Sequence, residues 1–151
     1  NLPHQTDALA QVESLQARVR PAPAREAFDL EAWRVAMARL GVIQSCWEEM
    51  EDTLISQQQA SLESGWIALV TDEGVPFSAR ISLLRGQIGQ CRRALPLLER
   101  LPGSETLATG LNDLISLLHE GLERGQLRVP ELNACWQNCR RVFGDLAAGL
   151  C

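Results

Sequence analysis

The chain has 151 residues, a length that suits one domain with a full hydrophobic core. Hydrophobic residues make up 46% of it and charged residues 22%, which excludes disorder over most of the length. The formal net charge of -5 argues against nucleic-acid binding, which normally needs a basic face, and the longest apolar stretch, residues 66–70, is far shorter than the roughly 20 residues that span a bilayer.

The composition favours helices. Leu, Ala, Glu, Gln and Arg are abundant, whereas Val, Ile, Thr and the aromatic residues, which favour strands, are sparse. Arginine supplies all 14 basic residues, which is typical of a high-GC bacterial genome. The chain starts at Asn1 and not at methionine, so we expect a processed product or an excised domain.

Helical periodicity starts near the amino terminus. Apolar side chains within residues 6–20 fall on one stripe, which predicts a first helix, and Pro21 and Pro23 end it. Residues 1–28 are therefore predicted to form a helix and a stiff proline-rich connector, loosely attached to the rest of the domain.

A second helix is predicted to open at the N-cap residue Asp29, with Glu31 in its first turn. Its apolar residues alternate steps of three and four, the spacing of a seam that faces other helices. That seam consists of Trp33, Ala36, Leu40, Ile43, Trp47, Met50 and Leu54. We expect a long helix with a bend or break between Ser61 and Gly65. Residues 66–70 continue the helix or, as the alternative, form a buried extended piece.

A turn over residues 72–76 precedes the third predicted helix, which has Pro76 near its first position. Its apolar residues are spaced alternately four and three positions apart, without exception. The members are Phe77, Ile81, Leu84, Ile88, Cys91, Leu95 and Leu98. We expect Pro96 to kink this helix or to shorten it to one turn beyond Arg92.

The fourth and fifth helices follow after short connections. Ser104 is the predicted N-cap of the fourth helix, which Gly121 and Gly125 close, and Pro130 lies in the first turn of the fifth. Short connections between amphipathic helices favour antiparallel neighbours. The predicted fold is thus all-α: an up-and-down antiparallel bundle of four to five helices that forms a single domain over residues 1–151.

The chain has five cysteines, an odd number that does not suit a disulfide framework in a chain of this length. We therefore expect reduced thiols and a cytoplasmic location. An extracytoplasmic protein with one or two disulfide bridges stays open as the alternative.

Cys135 and Cys139 lie one turn apart on the fifth predicted helix, so their thiols share a face. We expect both to fill the core, because a buried free cysteine usually behaves as a small hydrophobic residue. A disulfide to another helix and a metal site are the alternatives. Further ligands for such a metal would come from Cys46, Cys91, Cys151, His4 and His119. A thioredoxin-type motif is disfavoured, because the spacing is one residue too long and no strand is predicted before it.

Motifs for catalysis or cofactor binding are missing. The sequence has no nucleophile elbow, no glycine-rich phosphate loop and no haem-attachment motif. Gly86 and Gly89 fall inside a predicted helix and so cannot cradle a phosphate in the usual way. His119 lacks the neighbouring basic residue typical of a phosphotransfer histidine, and we interpret it as a surface residue. We therefore expect no enzymatic activity, no cofactor and no metal.

Two charged features are candidates for partner binding. The acidic run Glu48, Glu49, Glu51 and Asp52 lies away from the apolar seam of the second helix, where it forms either a solvated face or a patch for a basic partner. Arg85 and Arg92 lie two turns apart on the third helix and therefore share a face. They either pair with carboxylates within the fold or form a basic stripe.

Trp66 is the third candidate, because an exposed tryptophan in an irregular stretch is a natural anchor for a partner. Together these features favour a non-enzymatic module that presents a helical face to a protein partner, as an adaptor, immunity or chaperone-like protein. The alternative is an extracytoplasmic sensor or ligand-binding bundle, which predicts oxidised cysteines. A metal- or thiol-dependent protein that uses Cys135 and Cys139 is a third hypothesis.

Overall fold

The computed structural model describes residues 30–55 and 65–149, which form a helical bundle with one small sheet. The helices are α1 (Leu30–Met50), α2 (Ser78–Leu98), α3 (Glu105–Arg124) and α4 (Val129–Gly149). A π-helical turn, Glu51–Ile55, extends α1, and the strands β1 (Trp66–Ala68) and β2 (Gln126–Arg128) pair with each other. Each helix packs against the next one in the chain, so the predicted all-α bundle is confirmed. The helix predicted in residues 6–20, the N-cap Asp29 and the break near residues 61–64 lie outside the described residues.

Apolar side chains from the helices and both strands meet in one core. The predicted seam of α1 is buried at Ala36, Leu40, Ile43 and Trp47. The indole ring of Trp47 stacks on that of Trp136 in α4, with 5.1 Å between the ring centroids and 21° between the planes. This stacked pair connects the first described helix to the last. No helix within the described residues combines the length and the apolar character needed to cross a membrane.

The two prolines near the ends of α2 do not delimit the helix as predicted. Pro76 does not lie in the helix: it forms an isolated antiparallel bridge with Val70, and Phe77 is the N-cap residue. Pro96 lies within the last turn of α2, which continues to Leu98, so the expected shortening is not observed. A proline at this place removes one backbone donor, whereas the Leu98 side chain beyond it is completely buried. Core packing therefore extends the helix past the proline.

Strand β1 replaces helix that the apolar pattern had favoured, and β2 lies in the predicted connection between the fourth and fifth helices. In β1, Ile67 pairs with Leu127 of β2, and both side chains are buried. The alternative of an extended piece in residues 66–70 is confirmed and the continued helix is wrong, while β2 was not predicted. Gly125, with φ of 74°, ends α3 in the left-handed conformation, and this turn starts β2. Its carbonyl also accepts a hydrogen bond from the backbone N–H of Leu69, which holds the extended segment in place.

Ser104 lies at the N-cap position of α3, but it does not cap the helix with its side chain. Its buried hydroxyl lies within hydrogen-bonding distance of the carbonyl oxygens of Leu98 and Leu101. The prediction of a side-chain cap is therefore wrong. The hydroxyl instead donates to the turn between α2 and α3, where the Leu98 carbonyl also accepts a hydrogen bond from the backbone N–H of Leu101.

Candidate functional site

An open groove with a volume of about 460 Å³ lies between α2 and α3. We call it the arginine groove. It is lined by Arg85, Ile88, Gly89, Arg92, His119, Leu122 and Glu123. Ile88 is buried and Leu122 half-buried, so the floor is apolar, whereas both arginines are exposed at the α2 wall. Helical periodicity had placed these two arginines on one face, and the structure brings them into one groove.

The α2 wall carries positive charge from two exposed arginines. Arg92 contacts His119 across the groove, with 2.5 Å between Nη2 and Nε2. Because a guanidinium only donates, Nε2 is the acceptor in this contact. Within the described ranges, Arg85 forms neither an ion pair nor a hydrogen bond. Its charge is therefore available to an anionic group that enters the groove.

The groove is open at one glycine of α2. A Cβ atom at Gly89 would meet a single neighbour within 4 Å, the Nη1 atom of Arg93 at 3.8 Å, so the floor is open at this position. A second hollow of about 340 Å³, next to the start of α2, shares Arg85 with the groove. The Arg85 side chain thus stands between two concave surfaces, and an elongated ligand that lies along α2 can contact both.

The acidic run does not form one uniform face. Glu48, Glu49 and Asp52 are exposed, as predicted for a solvated surface. Glu51 is half-buried, and its Oε1 accepts a hydrogen bond from the indole N–H of Trp47. This bond satisfies a polar group of the core, so Glu51 stabilises the fold. In the described structure no hydrogen bond or ion pair joins the run to Trp66, Arg85 or Arg92.

Trp66 lies in β1 and is half-buried. The guanidinium carbon of Arg128, its partner residue in β2, lies 5.1 Å from the centroid of the indole ring. This cation–π contact covers one face of the ring. Trp66 is therefore held at the sheet, separate from the arginine groove, and its role as an anchor for a partner stays a prediction.

Cys135 and Cys139, which we call the thiol pair, face α3 at Gly110. The Sγ atom of Cys139 would lie 3.0 Å from a Cβ added at Gly110, and the Sγ of Cys135 lies 3.7 Å from the Gly110 carbonyl oxygen. The predicted shared face is confirmed, and Cys91 and Cys139 are buried in the core as expected. The expectation that no strand precedes this pair is wrong, since β2 leads directly into α4.

The thiols differ in acidity. Burial raises the pKa of Cys91 to about 12 and also raises that of Cys46. The interaction between the two thiols lowers the pKa of Cys135 and raises that of Cys139, which burial raises further. These four cysteines are free thiols, and no three His, Cys, Asp or Glu side chains within residues 30–55 and 65–149 are grouped to hold a metal ion.

Sequence reasoning missed the α3 side of the groove. His119 and Glu123 lie one turn apart, so the sequence places them on one face of α3. The sequence does not show which helix packs opposite that face. Only the packing of α2 on α3 places His119 at Arg92. Comparisons of the chain with protein-family models, with curated proteins and with solved structures give no match in any of the three.

Proposed function

We propose that the chain is a non-enzymatic interaction module that binds an acidic, amphipathic helix of a protein partner in the arginine groove. The observation that carries the proposal is Arg85, which is exposed and has no ion pair or hydrogen bond among the described residues, beside Arg92 and above an apolar floor. An amphipathic helix laid into a groove is an established mode of protein recognition, with apolar anchors inserted and charges at the rim.

The spacing of the arginines defines the partner. Residues two turns apart on a helix are about 10 Å apart along its axis. A partner helix that runs along α2 matches this spacing when it carries two carboxylates that are also two turns apart. An apolar side chain between them would fall above Ile88 and Leu122, which form the floor. Glu123 at the opposite wall disfavours a third acidic residue on that side and favours a basic one.

Charge distribution supports selectivity for such a partner. The chain has a formal net charge of -5, so most of its surface repels an acidic helix. The two groove arginines present a local exception. Attraction at one site combined with repulsion elsewhere steers an acidic partner to the groove and excludes other orientations.

Fluorescence anisotropy with synthetic helical peptides tests the proposal. The first peptide carries two glutamates two turns apart with a leucine between them, and its matched peptide carries glutamine at both places. We expect the full chain to bind the glutamate peptide at least about tenfold more tightly, with an affinity that falls as salt is raised. Equal binding of the two peptides would overturn the proposal.

Charge reversal then locates the binding surface. The variant Arg85→Glu/Arg92→Glu is expected to lose about tenfold or more in affinity for the glutamate peptide. The matched control is Arg34→Glu/Arg100→Glu, which reverses two exposed arginines outside the groove and is expected to bind nearly as the unmodified chain does. An equal loss in both variants would mean that net charge, and not the groove, determines binding.

A further inference from the structure

His119 faces Arg92 across the arginine groove, at the place where the proposed partner helix would dock. We infer that protonation of His119 controls the groove: the neutral imidazole holds Arg92 toward α3, and the imidazolium releases it to an acidic partner. This inference rests on the proposed function, because it concerns regulation of the same groove. It predicts that a fall in pH strengthens partner binding.

The contact between the two side chains needs an unprotonated ring nitrogen. Arg92 Nη2 lies 2.5 Å from His119 Nε2, and a guanidinium has N–H donors but no acceptor. Protonation of the imidazole turns Nε2 into a donor, since both ring nitrogens of an imidazolium carry a proton. Two donors and two positive charges then face each other, so attraction is replaced by repulsion. Arg92 is exposed, and its long side chain can therefore turn toward a ligand in the groove.

The charged groups that line the groove with His119 strengthen this response. Arg85 and Arg92 lie on the α2 wall, and Glu123 lies one turn after His119 on α3. Glu123 repels an acidic partner while the imidazole is neutral. An imidazolium next to Glu123 offsets that carboxylate and adds to the charge of both arginines. Protonation therefore makes the whole groove more favourable to acidic ligands.

Four charged side chains next to this part of α3 form ion pairs on another face. Glu120 pairs with Arg124 on α3 at 2.9 Å, and Arg128 of β2 pairs with Glu131 of α4 at 2.7 Å. All four line a separate hollow beside β2. The elements that pack on α3 from this side thus direct their charges away from the groove, and Arg92 is the contact that His119 gives up on protonation.

The pH dependence of peptide binding tests the inference. Between pH 8 and 5.5 histidine is the side chain that ordinarily gains a proton, and the chain contains only His4 and His119. We expect the full chain to bind the glutamate peptide about tenfold more tightly at pH 5.5 than at pH 8, at constant ionic strength. In His119→Gln, whose amide oxygen can accept from Arg92 at either pH, the affinity should change by less than about twofold. His4→Gln is the matched control and should keep the full pH dependence.

Linkage provides a second measurement of the same coupling. If protonation strengthens peptide binding, then peptide binding must take up protons from the buffer. Titration calorimetry at about pH 6.5, where histidine ordinarily titrates, measures this uptake when it is repeated in two buffers of different ionisation enthalpy. We expect net proton uptake in the unmodified chain and none in His119→Gln. Binding without proton uptake in the unmodified chain would overturn the inference.

Nuclear magnetic resonance of the arginine side chains tests the contact without any peptide. The Nε–H signal of Arg92 should shift with the same midpoint as the ring signals of His119, and it should stay constant in His119→Gln. Signals that titrate together support the release of Arg92 even if no peptide binds at any pH, in which case only the proposed function fails. An Arg92 signal that does not follow the titration of His119, or a pH dependence of binding that persists in His119→Gln, shows that His119 does not control the groove.

Discussion

The two flanks of α3 differ in how closely they pack. Toward α4 and β2, the helix presents Gly110 and Gly121, where an added Cβ atom would lie 3.0 Å from Cys139 Sγ and from Leu127 Cδ1. Toward α2, the helix borders the arginine groove. Gly89 lies on the α2 side of this groove, and a Cβ atom added there would have one neighbour within 4 Å, the Nη1 atom of Arg93 at 3.8 Å. The flank toward α4 and β2 is therefore closed at these two glycines, whereas the flank toward α2, which is also packed in the core, leaves an open groove at its rim.

This difference separates stability from binding. Close packing without voids stabilises a fold, and a tightly packed surface cannot admit a partner. Long arginine side chains at a rim contribute little to stability, because they remain in water and can be changed at small cost. On the proposed function, α3 uses one flank to fix the fold and leaves the rim of the other for recognition.

The largest effect is expected from the buried thiols at alkaline pH. The chain has no tyrosine and no lysine, and its arginines stay charged, so cysteines are the side chains that titrate between pH 9 and 12. Cys91 has its pKa raised from 9.0 to about 12, so the unfolded state loses this proton first. Stability is therefore full below pH 9 and falls as the pH rises toward 12, by up to about 4 kcal/mol for this residue.

Urea unfolding at a series of pH values measures this slope. Cys91→Ala should flatten the decline between pH 9 and 12, although its stability at pH 7 is lower because it creates a cavity. Parallel curves for the variant and the unmodified chain would show that Cys91 does not resist ionisation in the folded state.

The next effect concerns the closed flank. Gly121→Val should lower the free energy of unfolding by about 2 kcal/mol, because the added methyl groups collide with Leu127 and with the backbone of β2. The matched control is Gly86→Val on α2, which has no neighbour within 4 Å of the added Cβ and should change stability by less than about 0.5 kcal/mol. Denaturant unfolding of the two variants compares them, and equal losses would show that packing at Gly121 is not close.

A third, smaller effect has the opposite sign. Gly89→Ala should raise the free energy of unfolding by about 1 kcal/mol, because alanine is the better helix former and its methyl group meets only the end of the Arg93 side chain. Gly110→Ala should raise the free energy of unfolding by less, or lower it, because the added methyl group meets the Sγ atom of Cys139. If both exchanges stabilise equally in thermal unfolding, the two flanks do not differ.

The helices were predictable because their apolar residues repeat with helical periodicity. Leu84, Ile88 and Cys91 on α2 are buried as their spacing indicated. The strands were not predictable in the same way. A run such as Trp66 to Val70 is apolar at every position, so its pattern fits a helix and a buried strand alike. It became β1 because β2, separated from it by two helices, supplies its hydrogen-bond partners.

The candidate site was half predictable for a related reason. Periodicity within one helix places Arg85 and Arg92 on one face, since both belong to the same element. It cannot place His119, because that requires the rotation of α3 relative to α2. A spacing of four residues places Glu51 on the same face as Trp47, but it does not show that the buried indole N–H takes this carboxylate as its acceptor.

The smallest effect on stability is expected from the groove arginines. Arg85→Glu/Arg92→Glu should change the free energy of unfolding by less than about 0.5 kcal/mol, because both side chains are exposed and Arg85 has no partner to lose among the described residues. The same variant is expected to lose peptide binding by about tenfold or more. Denaturant unfolding and anisotropy on one sample therefore separate the two roles. A loss of stability above about 1 kcal/mol would mean that the Arg92–His119 contact holds α2 to α3, and the open flank would then be part of the fold.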